Sequence, residues 1–79
     1  MNSRLTLRHL EAFRAVMERH SVTGAAELLG VTQPVVTRLI ADFEERVAFP
    51  LFTRQKGRLV PTAEAELLIG DVQPAMMLI

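Results

Sequence analysis

Cysteine is missing from the 79-residue sequence, and so are tryptophan and tyrosine. Without cysteine the chain has neither a disulfide framework nor a cysteine-ligated metal. Long hydrophobic runs are also missing, since every uncharged run, 72–79 included, is far shorter than the roughly 20 residues that span a bilayer. The first thirty residues contain no continuous apolar segment of the signal-peptide kind. These features predict a cytoplasmic protein that does not associate with membranes.

Net charge is likewise zero, with nine basic and nine acidic residues, so the sum alone does not suggest nucleic acid as a partner. The distribution of charge is more informative than the sum. Between Pro50 and Thr62 there are basic residues and no acid. Six of the nine acids are concentrated elsewhere, at Asp42, Glu44, Glu45, Glu64, Glu66 and Asp71. The stretch between Pro50 and Thr62 is therefore a candidate surface for an anionic partner.

Hydrophobic residues make up 49% of the chain, which is enough for the core of a single small domain. Their spacing predicts a first helix from the cap Thr6 to about Arg19. A short second helix follows over 25–29, with Ser21 or Thr23 as its cap and Gly30 at its end. The apolar face of the first helix is predicted to comprise Leu7, Leu10, Phe13, Val16 and Met17.

A third helix is predicted over 33–47, with Thr32 as its cap and Pro34 in its first turn, where proline is tolerated. Apolar residues recur along it at helical spacing and predict a buried stripe. The stripe comprises Val36, Leu39, Ile40, Phe43 and Val47. The opposite side carries Pro34, Thr37, Arg38, Ala41 and Glu45, so it is polar near the start of the helix and acidic near its end.

The next segment predicts a hairpin from 52 to 60 with Gly57 at its turn. Pro61 ends the second strand and Thr62 caps a fourth helix. The fold class is therefore mainly α, with three helices and a short hairpin over 1–61 and a linker helix over 62–79. Two helices joined by a short turn that contains glycine describe a helix-turn-helix, which places the start of its second helix in the major groove of DNA.

Several stretches at fixed spacing strengthen this interpretation. They are Leu7-x2-Leu10-x2-Phe13, Ser21-Val22-Thr23-x-Ala25-Ala26, Val31-Thr32-Gln33-Pro34-Val35-Val36-Thr37-Arg38-x-Ile40, Phe43-Glu44 and Leu51-Phe52-x-Arg54. Over about 7–68 the sequence resembles the N-terminal DNA-binding domain of the LysR-type transcriptional regulators. The resemblance implies a winged helix-turn-helix that dimerises through a linker helix. The family's C-terminal effector-binding domain, which would bind any small-molecule effector, is expected to be absent from this chain.

The chain departs from the family pattern at three places. After the wing, Pro61-Thr62-Ala63-Glu64-Ala65 stands where the family usually has Leu-Thr-x-Ala-Gly. Val47-Ala48 stands where the family usually has Leu-Gly, so the third helix ends without its usual glycine. The linker helix is apolar and contains Pro74, whereas family linker helices are commonly rich in charge.

The resemblance also implies a set of DNA-binding residues. Gln33, Pro34, Thr37 and Arg38 match positions that face bases and the groove, and Thr32 at the helix start is included with them. Ser21 and Thr23 match positions near a phosphate, and Arg54 matches the wing arginine. Lys56 and Arg58 are added because of local charge and hairpin geometry. The partner is then double-stranded DNA with an interrupted inverted repeat, bound by a homodimer whose interface is predicted at Leu67, Leu68, Val72, Met76 and Ile79.

Alternative interpretations remain open from the sequence. The wing cations are also typical of exposed edge strands, where charged side chains oppose aggregation. The fourth helix could alternatively fold back on the core. A winged helix that binds a protein rather than DNA is the alternative function. We expect no enzyme, because the acids at 42–45 have no nucleophile or metal shell near them. No metal or cofactor is expected, and His9 and His20 are predicted to be surface residues.

Overall fold

The computed structural model describes residues 5–68, which contain three helices, a two-stranded hairpin and a further helical segment. The elements are α1 Leu7–Arg19, α2 Val22–Leu29, α3 Gln33–Val47, β1 Phe52–Gln55, β2 Arg58–Pro61 and a helical segment, α4, at 63–68. The order confirms the winged helix-turn-helix predicted from the sequence. Helix α2 begins three residues before the predicted position, because Ser21 is its cap and Thr23 lies inside its first turn.

Side-chain caps begin α1, α2 and α4 as predicted, but not α3. At the start of α4 the Thr62 hydroxyl accepts from the Ala65 N–H at 3.1 Å. The Thr6 hydroxyl accepts from the His9 backbone N–H, and the Ser21 hydroxyl accepts from the Gly24 N–H at 2.9 Å. Thr32 occupies the cap position of α3, but its side chain makes no capping hydrogen bond. The prediction that Thr32 caps α3 is therefore right for the backbone and wrong for the side chain.

Two adjoining clusters of buried side chains form the core. The first contains Phe13, Phe43, Leu51 and Ala65, with the rings of Phe13 and Phe43 packed edge to face at 5.4 Å between centroids. The second joins the three helices through Ala15, Val16, Ala25, Ala26 and Val36. Ile40 and Phe52 contact both clusters, so α3 and the hairpin share one core.

The prediction that Leu7 belongs to the buried face of α1 is wrong. Leu7 is 57% exposed, because it stands in the first position of the helix, beyond the packed part of that face.

The hairpin turns at Lys56 and Gly57, both of which have positive φ, at 53° and 79°. Two consecutive positive φ values are the signature of the type I′ turn, whose twist matches that of the flanking strands. Strand β2 is tied to the helices because the Leu59 N–H donates to the His20 carbonyl at 2.9 Å. The wing is thereby held to the junction of α1 and α2.

Helix α3 ends at Ala48, which adopts the left-handed conformation with φ 67° and ψ 29°. Its N–H donates to the Glu44 carbonyl at 2.8 Å and closes the last turn. This conformation is the one that glycine adopts without steric strain, so an alanine here is a local source of strain.

Candidate nucleic-acid interface

The turn between α2 and α3 sets the direction in which α3 leaves the core. Gly30 lies at φ 70° and ends α2, and the Val31 N–H bonds back to the Ala26 carbonyl at 3.0 Å. Ala25 and Ala26 are buried against Val36, and their small side chains let the two helices approach closely. The turn and these small residues together present the first turns of α3 to solvent.

The outward face of α3 has the character that the sequence predicted. Its exposed residues are Gln33, Pro34, Thr37, Arg38, Ala41 and Glu45. Val36 and Phe43, on the opposite side, are completely buried. Amide, hydroxyl and guanidinium groups are therefore displayed together over the first two turns, which is the combination that reads base edges. The contact of these side chains with DNA remains a prediction.

Thr32 precedes this face and is also exposed. Its carbonyl accepts from the Val35 N–H at 3.2 Å, which is the first hydrogen bond of the helix. Because the hydroxyl makes no capping bond, it can donate to an external group.

Ser21 and Thr23 lie together at the start of α2. The Ser21 oxygen accepts the Gly24 N–H, which leaves its hydroxyl hydrogen as a donor. Thr23 is exposed in the first turn of the same helix. The structure thus brings two hydroxyl groups to a helix N-terminus, a position that suits a phosphate.

The wing presents its three cations to solvent. Arg54, Lys56 and Arg58 are all exposed, and Arg54 Nη1 donates to the Gly57 carbonyl at 3.4 Å across the turn. Gln55 and Arg58 face each other in the antiparallel register next to the turn. The wing is therefore a compact positive tip at one edge of the molecule.

Two of the three acids at 42–45 have structural roles. Glu44 Oε2 accepts from the Leu51 N–H at 2.8 Å and so holds the segment that leads into β1. Asp42 Oδ2 accepts from Arg46 Nε at 2.9 Å and also bonds to His9 Nε2. The hydrogen bond from Arg46, followed by that from His9, lowers the pKa of the Asp42 carboxyl below 3.8. These contacts give Asp42 and Glu44 structural roles in holding α3 to α1 and to the segment before β1.

His9 is the important residue that sequence reasoning placed wrongly. It is 5% exposed rather than on the surface, and its Nδ1 accepts from the Thr6 N–H at 3.0 Å. Because a backbone N–H only donates, this geometry places the ring hydrogen on Nε2, which donates to Asp42. The available signal was its position three residues after a threonine cap, which is the capping-box spacing.

His20 is the second histidine that was predicted on the surface, and it is half-buried. Its Nδ1 lies 3.2 Å from the Leu59 carbonyl, which only accepts, so Nδ1 is the donor. Its role is to hold β2 in addition to the backbone bond described above.

Two of the predicted dimer residues, Leu67 and Leu68, lie in α4 and differ in their burial. Leu68 packs against the cluster of Phe13 and Phe43, whereas Leu67 is 80% exposed and lines a shallow groove with Phe49 and Glu64. Leu68 is thus partly a core residue, and Leu67 is a surface residue. The other predicted members, Val72, Met76 and Ile79, lie outside the described residues.

Across residues 5–68, no three His, Cys, Asp or Glu side chains are grouped as metal ligands would be. No helix within the same range has the length and apolar character needed to cross a membrane.

The three packed helices, the exposed start of α3 and the basic hairpin define a winged helix-turn-helix. Residues 7–66 match the model of the bacterial regulatory helix-turn-helix proteins of the lysR family. The chain therefore belongs to the LysR family of bacterial regulatory proteins.

Two curated relatives illustrate the similarity. The chain is 47% identical over 73 residues to the octopine catabolism/uptake operon regulatory protein OccR of Rhizobium meliloti, covering 92% of this chain and 25% of that protein. It is 51% identical over 65 residues to the regulatory protein NocR of Agrobacterium fabrum, covering 82% and 22% respectively. The chain thus spans about a quarter of the length of the relatives it matches.

Solved structures show the same architecture. A BenM_DBD/benA site 1 DNA complex is similar with a TM-score of 0.85 and 32% identity, over 91% of this chain and 81% of that one. A CbnR_DBD–DNA complex is similar with a TM-score of 0.84 and 29% identity, over 92% and 84%.

Proposed function

We propose that this chain is the DNA-binding domain of a transcriptional regulator and binds double-stranded DNA sequence-specifically. Helix α3 enters the major groove with Gln33, Pro34, Thr37 and Arg38 toward the bases. The observation that carries the proposal is the exposed polar start of α3, held outward by the turn at Gly30 and the buried Val36. The similar structures that contain DNA support it.

Phosphate contacts position the domain on the duplex, and base contacts select the sequence. The wing cations and the hydroxyl groups at the start of α2 supply the phosphate contacts on either side of α3. If each subunit neutralises about three to four phosphates, the log–log salt slope of a bound dimer is about −5 to −7. A slope near zero would contradict the assignment of the wing.

The proposal includes a homodimer on an interrupted inverted repeat, because two-fold protein symmetry is matched by two-fold symmetry of the site. The exposed side chain of Leu67 supports an interface along α4. An effector, if the whole protein binds one, acts through a part of the protein beyond this chain. The proposed compartment is the cytoplasm, where a bacterial regulator meets its DNA.

Selection from randomised duplexes at low salt tests the proposal. We expect enrichment of a two-fold symmetric sequence, and we expect Arg38→Ala to weaken binding to it by about 1–3 kcal/mol if Arg38 reads a guanine. The matched control is Arg14→Ala, which removes the same charge from the exposed side of α1. Enrichment of a single half-site would retain the DNA role and contradict the dimer.

Zero net charge and the exposed Glu45 favour the alternative of a protein-interaction module. Arg38 and the acid-free wing oppose it. Folded protein that enriches no duplex and shows no salt-dependent binding would favour this alternative over DNA binding.

A further inference from the structure

A basic groove adjoins the start of α3 and includes an arginine that has no role in the site described above. The groove lies between the N-terminal ends of α1 and α3. Its lining residues are Thr6, Arg8, Pro34, Val35, Arg38 and Leu39. Two arginines and no carboxylate are among them, so the groove suits an anionic ligand. Because Pro34 and Arg38 also belong to the outward face of α3, the groove is continuous with the proposed DNA interface.

Arg8 occupies a place where the fold does not benefit from a cation. It lies in the first turn of α1, near the positive end of the helix dipole, and that turn contains no acidic residue. A positive charge at this end of a helix is destabilising. With the other described residues, Arg8 forms neither a salt bridge nor a side-chain hydrogen bond. The N–H groups of the exposed Arg8 guanidinium are therefore available to a ligand in the groove or to water.

We infer that Arg8 binds a backbone phosphate of the same duplex that α3 reads; this inference rests on the proposed function. An arginine guanidinium is suited to this ligand because its planar donors match two phosphate oxygens at once. The apolar side chains of Val35 and Leu39 in the same groove offer a surface for the adjoining deoxyribose.

The position of Arg8 differs from that of the wing. The wing is attached to α1 at His20, through the Leu59 N–H. Residues 8 and 20 are 12 positions apart in the chain, which corresponds to about 18 Å of helix axis at about 1.5 Å per residue. This exceeds the width of the major groove, about 12 Å. Arg8 and the wing are therefore too far apart to bind the same phosphate.

The first test compares Arg8→Ala with Arg14→Ala. Arg14 is on the same helix and exposed, but it lines a different groove, between α1 and α2, together with Glu11 and Glu18. The two variants remove the same charge. We expect Arg8→Ala to weaken binding of the enriched duplex and of unrelated duplexes equally, by roughly tenfold, as for the loss of one charged hydrogen bond. The salt slope should decrease by about 0.9 for each subunit bound, and Arg14→Ala should change neither quantity.

A second variant separates binding from folding. Arg8→Glu places an acid at the helix end that favours it, so we expect a higher melting temperature together with a larger loss of DNA affinity. A residue with only a structural role would not move stability and binding in opposite directions. This variant also keeps the test valid if Arg8→Ala folds poorly.

The outcomes distinguish this inference from the proposed function. If the parent chain binds DNA and depends on Arg38, while Arg8→Ala matches Arg14→Ala in affinity and salt slope, the role of Arg8 is refuted and the proposed function stands. If the folded parent chain binds no duplex, both are refuted. A changed sequence preference in Arg8→Ala would also refute a phosphate contact, because such a contact carries no base information.

Discussion

Replacing Ala48 by glycine is expected to stabilise the fold. Ala48 ends α3 in the left-handed conformation, at φ 67°. An L-residue in that conformation costs about 1–2 kcal/mol relative to the right-handed one. Glycine has no such penalty, but its unfolded state has greater conformational entropy, which costs about 0.5–1 kcal/mol.

The difference between these two quantities predicts an increase in unfolding free energy of roughly 0.5–1 kcal/mol. Because Ala48 is exposed, removing its methyl group leaves no cavity and subtracts little from burial. For a domain of this size, such a gain corresponds to a rise in melting temperature of roughly 3–6 °C. Thermal unfolding followed by circular dichroism measures it directly.

The matched control is Ala41→Gly, the same substitution at an exposed position in the interior of α3. There the backbone is helical, so glycine should lower the unfolding free energy by about 1 kcal/mol. Opposite signs at the two positions would show that backbone conformation determines the effect. A melting temperature for Ala48→Gly that is unchanged or lower than that of the parent would refute the reasoning.

Two further predictions concern acid stability and association. The hydrogen bond from Arg46 lowers the pKa of Asp42 below 3.8 in the folded protein, so the ionised pair contributes stability that is present above pH 3.8 and is lost as the pH falls through the folded pKa. In denaturant titrations, the Asp42→Asn variant should therefore lose less unfolding free energy on acidification than the parent. A loss equal to that of the parent would contradict this prediction. The control is Glu45→Gln, which changes an exposed carboxylate. The Leu67→Glu variant should be monomeric in sedimentation equilibrium. Its melting temperature should change little, because the Leu67 side chain is 80% exposed. A parent chain that is monomeric at every concentration, or a variant that still dimerises, would contradict the proposed interface.

The order of the elements and most of their bounds, apart from the start of α2, were predictable because they depend on local patterns. Apolar residues at helical spacing located α1 and α3, glycine at 30 located the turn, and the residues around Gly57 located the hairpin. Each of these patterns depends only on residues that are close together in the sequence. The exposed side of α3 followed from the same periodicity, since Val36 and Phe43 fix which side is buried.

What escaped prediction depends on contacts between distant parts of the chain. The burial of His9 results from its bond to Asp42, 33 residues away, which no local pattern indicates. The positive φ of Lys56 was missed because the turn had been assigned to Gly57 alone. Arg8 appears as an ordinary helix charge in the sequence. Its position beside Arg38 emerges only when α1 and α3 are packed together.

The attachment of the wing to His20 has a consequence for how affinity can change in this fold. Two atoms of His20 hold Leu59, the carbonyl oxygen and Nδ1, so the wing is fixed in place before any ligand arrives. Once α3 has docked on a duplex, the wing would be close to its phosphate, which corresponds to a high effective concentration. Binding of the wing would not require the hairpin to become ordered. Substitutions at the tip, 54–58, would then adjust the strength of binding in small increments while the orientation of α3 is preserved. Strength and sequence preference would accordingly be altered independently, because the wing and α3 are separate elements.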